Sequence, residues 1–369
     1  MKSGYLPELD YLRGIAILLV ISIHVSANFI YMSTADFLSL FYMSIDTYSS
    51  VAVPLFIAIS GFILFYLYHG GLNIKTFYRK RFFSVVPPYL FFTVFYLGFE
   101  YAVRFHKGLS LEINANELFL TLVTGGNTHL WFVFLIIQFY IIFPWLLSVF
   151  KRLSLRDSRY PLAFALTFQL VWSGFLSSYL RFGSEGFAWS KLFLFLNYLV
   201  YFVMGMYIAS NHRQITDGIV KSYSYLKITP LLLLLTVAGI FSTAEARFGD
   251  LQVSVFRTFG ALFPILQPVY FLLIILSLVP FVIVLGKNKA WFQPGLQKIG
   301  AYSFGIYLIH IFFLQIVIFL LGKIDIDWNW PLFYPVVFIL TLVLSYSSVH
   351  GISQYPAGRF IIGNTRKNT

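Results

Sequence analysis

Asp10, Arg13 and His24 fall on one helical stripe near the start of the chain. The eleven residues from Arg13 to His24 amount to about 1100°, or about 20° modulo a turn, and to a rise of about 16.5 Å. With Arg13 at one membrane surface, His24 lies near the midplane of a roughly 30 Å hydrocarbon core. Ionisable groups at that depth are costly and are functional candidates by default. An imidazole titrates near neutrality and suits proton abstraction, while an arginine at the mouth suits an anion. The plainer reading is that His24 hydrogen-bonds a neighbouring helix and Arg13 anchors the topology. Helix geometry alone leaves both readings open. Ser26 and Asn28 extend the polar trend beyond His24.

Other polar residues within apolar stretches carry weaker signals. His310 has Tyr307 one turn and Ser303 two turns before it, and an interhelical hydrogen bond would account for it. His129 precedes Trp131 at a span edge, where an aromatic belt explains the indole without chemistry. Ser60-Gly61 fits a close helix crossing. Glu100 and Arg104 read as a structural i,i+4 pair. The run NIKTFYRKRFFSVVPPYL (73–90) places Tyr78, Arg79, Lys80 and Arg81 together ahead of Pro87-Pro88. Arg and Lys pair with phosphate and aromatics stack on bases, so this cluster suits a phosphorylated, adenine-bearing donor. Attraction to anionic lipid headgroups explains it equally well. No Walker A, GxGxxG, HExxH or GxSxG context occurs, so ATP-driven transport and zinc hydrolysis have no support, and no metal site is expected.

The elements that must position these groups are transmembrane helices. Of 369 residues, 59% are apolar and 11% charged, with a mean hydropathy of +0.80. Soluble domains carry roughly 25% charge. The 43 Phe and 25 Tyr exclude a disordered chain, and the absence of cysteine excludes disulfide scaffolds, thiolate metal sites and Cys nucleophiles. Ten apolar spans can be drawn, about 11–31, 48–68, 83–103, 129–149, 160–180, 191–210, 228–243, 263–285, 300–321 and 331–350. The seventh is short, and Pro264, Pro268 and Pro280 interrupt the eighth. Alternating ten-residue strands are missing, which argues against an outer-membrane barrel.

An even number of spans puts both termini on one side. Seven of the 26 Lys and Arg fall opposite: Arg104, Lys107, Arg181, Lys191, Arg247, Arg257 and Lys323. The positive-inside rule then places both termini in the cytoplasm. The net charge of +12 is mostly this topology signal; it is scattered over short loops and does not suggest nucleic-acid binding. The expected architecture is an all-α, polytopic bundle forming one membrane domain over 1–369, without a separate soluble domain.

Taken in order, LDYLRGIAILLVISIH (9–24), VPLFIAISGFIL (53–64), FYRKRFFSVVPPYL (77–90), HLWFVFLIIQFYIIFPWL (129–146) and SFGIYLIH (303–310) resemble the acyltransferase 3 family of integral membrane proteins. The family's Arg-x10-His arrangement falls on Arg13 and His24. The resemblance implies transfer of an acyl group, acetyl or succinyl, from cytoplasmic acyl-coenzyme A to a hydroxyl of an extracytoplasmic or lipid-linked glycan, in a bacterial-type plasma membrane. Relatives often carry a second arginine three residues after the position of Arg81, where this chain has Ser84. The tail GRFIIGN (358–364) and the layout are similar to the intercellular adhesion protein C-like branch, regarded as exopolysaccharide exporters or O-acyltransferases.

The implied mechanism makes His24 the general base, with Arg13 and the Tyr78–Arg81 cluster holding the donor and Asp10 orienting Arg13. Tyr307, His310 or Ser60 would donate to the oxyanion, and helix position does not choose among them; His129 and Trp131 are further candidates. Two readings compete with transfer. One is a polysaccharide exporter or flippase; the other is a structural partner of a polysaccharide synthase complex. Membrane lipids and a glycan acceptor are the expected partners.

Overall fold

The computed structural model describes residues 6–30, 37–109, 119, 121–122, 129–173, 193–221, 229–248, 254–287, 290–327 and 330–363. Residues 174–180 of the fifth expected span, the start of the sixth at 191–192, and the side chain of Asn28 lie outside these. So do Lys2, Arg181, Lys191, Lys227, Lys289, Arg366 and Lys367. Among the described residues there is no strand, and 14 α-helices follow one another along the chain.

In chain order the helices are α1 (Pro7–Ile30), α2 (Phe37–Ser49), α3 (Ala52–Tyr68), α4 (Ile74–His106), α5 (Trp131–Ser154), α6 (Tyr160–Val171) and α7 (Leu199–Ser210). They continue with α8 (His212–Lys221), α9 (Thr229–Phe248), α10 (Ser254–Lys287), α11 (Gln293–Ala301), α12 (Ser303–Gly322), α13 (Phe333–Ser353) and α14 (Pro356–Ile362). Seven spans are long and apolar enough to cross a membrane, and shorter apolar helices occur at Tyr160–Val171, Leu199–Ser210 and Leu231–Ile240. Those three lie where the fifth, sixth and seventh spans were drawn.

Large apolar side chains are exposed along the outer faces, among them Phe82, Phe83, Leu90 and Phe91 of α4, Ile141 and Trp145 of α5, and Ile339 and Val343 of α13. Such a continuous exposed apolar surface suits lipid as the surrounding solvent.

Three spans begin elsewhere than the hydropathy pattern suggests. The second starts at Phe41 and has two helical parts. Pro54 cannot pair back to Ser50 and crowds its carbonyl, and the chain breaks there, with Ser50 N–H on the Asp46 carbonyl at 3.0 Å. The third is helical from Ile74, so the basic cluster is not a loop but the first two turns of α4. Asn73 caps that start by accepting from Thr76 N–H at 2.9 Å, and long basic side chains run their heads outward while their stems stay on apolar surface. The eighth runs unbroken through Pro264, Pro268 and Pro280 in α10, a tolerance that membrane helices acquire when neighbours re-satisfy freed backbone groups.

Two glycine crossings set the frame around the site. Gly205 of α7 meets the Ala58 carbonyl and Gly61 of α3 meets the Phe202 carbonyl, each where a Cβ would sit. The expected close crossing at Ser60-Gly61 is therefore made against α7. Gly14 and Gly300 do the same for α1 and the short helix α11.

Candidate active site

α1 presents its stripe as the spacing predicts. Near its N-terminal end Arg13 donates to buried Asp10 at 2.8 Å. The Gly14–Gly300 crossing brings α11 against this turn, with Gly300 directly over the Asp10 carbonyl. Asp10 is thereby enclosed while the Arg13 side chain keeps 26% exposure, so the cation is held from behind and left open in front.

About three turns along α1, His24 meets two further imidazoles. Its ring centroid is 5.1 Å from that of His310 on α12 and 6.3 Å from that of His129, in the turn leading into α5. His129 and His310 are themselves 5.0 Å apart. His129 and His310 are buried, whereas His24 is half-buried.

Polar groups around the cluster fix its orientation. His310 Nδ1 lies 2.7 Å from the Tyr307 carbonyl. A carbonyl only accepts, so Nδ1 carries the hydrogen and Nε2 of the neutral ring keeps its lone pair. That Nε2 is buried without a hydrogen bond. Neither ring nitrogen of His129 makes a hydrogen bond of normal geometry; the carbonyls of Tyr307 and Leu308 are the nearest acceptors. The Tyr307 hydroxyl donates to the His129 carbonyl, tying α12 to the turn before α5. Buried polar groups left without partners are uncommon in native proteins and call for an explanation in function. Among the described residues no set of His, Asp or Glu is arranged to hold a metal ion.

A cavity runs from Arg13 to Tyr307. It has a volume of about 300 Å³ and is walled by Asp10, Arg13, Arg81 and Ser84 together with Ser60, Tyr140, Ser303 and Tyr307. Tyr307 is the shared wall: its ring lies 5.3 Å from His129 and 5.8 Å from His310. Arg81 sits against the rings of Tyr140, Phe77 and Tyr68 at 5.4, 5.7 and 5.8 Å. Aromatic faces on several sides hold a guanidinium without neutralising it. A second, more open recess of about 820 Å³ shares Arg81 and Ser84 with the first and adds Lys75, Arg79 and Lys80.

The sequence-level candidates thus divide. Arg13, Asp10, Ser60, Arg81 and Tyr307 line one cavity; His129 and His310 pack on the Tyr307 ring, and His24 packs on His310 without lining the cavity. Arg79 and Lys80 face the outer recess. Tyr78 does not: its hydroxyl donates to the Ile141 carbonyl at 2.8 Å on the α5 side, and the rings beside Arg81 are Tyr68 and Tyr140. Trp131 packs on Tyr198, with centroids 6.2 Å apart, away from the imidazoles. Arg13, Arg81 and Ser84 line the same cavity. Glu100 and Arg104 form their pair at 2.8 Å on the surface.

Sequence reasoning missed several groups. Tyr96 of α4 packs edge-on to His129 at 4.9 Å; one tyrosine among 25 carries no signal by itself. Asp46 was hidden by the misplaced start of the second span. Ser26 reaches Asp46 Oδ1 at 3.3 Å, and Ser22 bonds Tyr334 at 2.6 Å. Placing residue 46 inside a span would have exposed this carboxylate as a candidate.

Apolar helices with lipid-facing surfaces, a cavity lined by arginines and a cluster of imidazoles packed behind its Tyr307 wall define a multi-pass membrane protein with a polar centre. The chain matches the acyltransferase domain family model over residues 6–350 and belongs to that family, which makes it a membrane acyltransferase. Comparison with curated proteins and with solved structures gives no match.

Proposed function

We propose that this protein is an O-acyltransferase that moves an acetyl or succinyl group from cytoplasmic acyl-coenzyme A to a hydroxyl of an extracytoplasmic or lipid-linked glycan. The observation that carries the reading is the single cavity joining Arg13 and Arg81 to the Tyr307 wall of the imidazole cluster. A donor needs cations for its phosphates and a path for its arm, for which this cavity is suited, and a base, for which the imidazoles behind the Tyr307 wall are the candidates.

In this reading the donor's phosphates rest on Arg79, Lys80 and Arg81 in the outer recess, and Arg13 holds the inner end of the arm. Guanidinium groups suit phosphate oxygens because their donors are forked and always charged. His24 takes the proton of the acceptor hydroxyl as that oxygen attacks the thioester carbonyl. The C–O bond forms, the C–S bond breaks, and the proton leaves His24 for the departing thiolate. General acid–base catalysis requires only that His24 come within hydrogen-bond reach of the hydroxyl. Both termini lie in the cytoplasm, and the cell membrane is of the bacterial plasma-membrane type. The C-terminal GRF segment on α14 and the layout favour the exopolysaccharide branch, with a polysaccharide synthase complex as a partner.

The test is thioester cleavage by purified protein given acetyl- or succinyl-coenzyme A, with and without a glycan acceptor. Acceptor-dependent release of coenzyme A is expected. Glycan export with no thioester cleavage would overturn the transferase in favour of an exporter. A reporter fused within 151–159 should read cytoplasmic, and an outside reading would reverse the proposed direction of donor entry.

A further inference from the structure

α12 runs as an unbroken α-helix from Ser303 to Gly322 through the turn that carries His310. One hydroxyl from another helix bonds to the backbone on both sides of that residue: Tyr96 of α4 donates to the Leu308 carbonyl at 2.9 Å and accepts from Phe312 N–H at 3.3 Å. A hydroxyl can do both at once, having one hydrogen and two lone pairs.

This hydroxyl is held firmly. Tyr96 is 6% exposed, and Phe95 and Phe99 each place a ring 5.2 Å from Phe312. The Tyr96 ring also meets His129 at 88°. Tyr96 therefore touches the backbone on either side of His310 and the ring of His129, yet it does not line the cavity. It is built into the back of the cluster.

His310 stands between Leu308 and Phe312, with Nδ1–H committed to the Tyr307 carbonyl and Nε2 buried without a partner. The His24 ring stands beside it, its centroid 5.1 Å away. Catalytic hydrogen bonds are often long before substrate binds and tighten afterwards.

We propose that Tyr96 is a positioning residue of the acyl-transfer centre. By bonding to Leu308 and Phe312 it sets the turn of α12 so that His310 Nε2 accepts the N–H of His24 during reaction. The acceptor's proton goes to the other nitrogen of His24, and the resulting imidazolium is stabilised by His310 until the thiolate takes the proton. His310 stays neutral throughout, and no further reactant is consumed. This proposal rests on the acyltransferase reading above.

The experiment is a double-mutant cycle on purified full-length protein, with acetyl-coenzyme A as donor and rates taken per mole of monodisperse protein. Tyr96→Phe keeps the ring against His129 and removes only the hydroxyl. Losing one neutral hydrogen bond should lower kcat roughly three- to tenfold, leave the donor KM unchanged, and add nothing in a His310→Gln background. Full kcat in Tyr96→Phe, or the same loss with and without His310, would overturn the proposal. If Tyr96→Phe does not accumulate, Tyr96→His and Tyr96→Leu replace it. The hydrogen-bonding variant should keep the higher kcat, and equal rates would overturn the positioning role. Wild-type protein without thioester cleavage would sink the acyltransferase reading itself, a result distinct from an active wild type that tolerates Tyr96→Phe.

Discussion

The two ends of the central cavity are built in opposite ways. At the Arg13 end the polar groups are cations on or near the surface, most of them neighbours in sequence on the first two turns of α4. At the other end, behind the Tyr307 wall, they are imidazoles from α1, α12 and the turn before α5, packed among tyrosines. Surface cations are screened and individually replaceable. Enclosed groups act where little water competes, and each is fixed by a separate helix. The comparison teaches that binding at one end should be distributed over several side chains, whereas chemistry at the other should depend on single atoms.

The comparison breaks most easily at His24, where the largest effect is expected. His24→Gln keeps a hydrogen-bonding side chain of similar reach but supplies no base near neutral pH. Acyl transfer should fall by roughly 10²–10⁴-fold, with insertion and yield unchanged. Near-normal transfer in well-inserted His24→Gln protein would remove the general base and make the two ends alike.

Arg81 should give a smaller and different loss. Arg81→Ala removes one charge-assisted contact, so the apparent donor KM should rise roughly tenfold while kcat holds. The remaining cations should still bind, and the salt dependence of KM should weaken as one charge contact is lost. A fall in kcat at constant KM would place Arg81 with the chemistry and dissolve the distinction. An unchanged KM would assign the basic cluster to lipid headgroups.

The smallest effect is expected from Glu100 and Arg104, a pair as close as Asp10 and Arg13 but lying on the exposed flank of α4. Glu100→Gln should leave both kcat and KM within about twofold and cost no more than about 0.5 kcal/mol, as i,i+4 pairs do. A larger loss of transfer, measured beside thermal stability, would show that proximity of charges rather than the cavity defines function here.

Much of the first region was legible in the chain because it is local. The Arg13–His24 spacing needs only the helical repeat, and the RKR run is visible wherever it folds. Its reading as a loop failed because lysine and arginine depress local hydropathy even when their stems lie on a membrane helix, as α4 shows. The second span was drawn from 48 for a similar reason: the polar run Asp46-Thr47 ahead of it lowers local hydropathy, and this concealed Asp46. The tail and the layout shaped an expectation about the glycan, but no residue pattern names the acyl group.

By itself the sequence determined that the chain crosses a membrane repeatedly, that its helices are apolar on nearly every face, and that Arg13 and His24 share a stripe. These follow from composition and from the 3.6-residue period, which operate within one segment. Only the tertiary structure decided that His129 belongs with His24 and His310 rather than with an aromatic belt, that Tyr78 faces α5 instead of the cavity, and that Tyr96 bonds to the backbone of α12. These are contacts between segments separated by as many as 286 positions, from His24 to His310. In helices apolar on all faces, no periodic pattern marks which face meets which neighbour; backbone approaches such as Gly14 on α11 and Gly205 on α3 decide it.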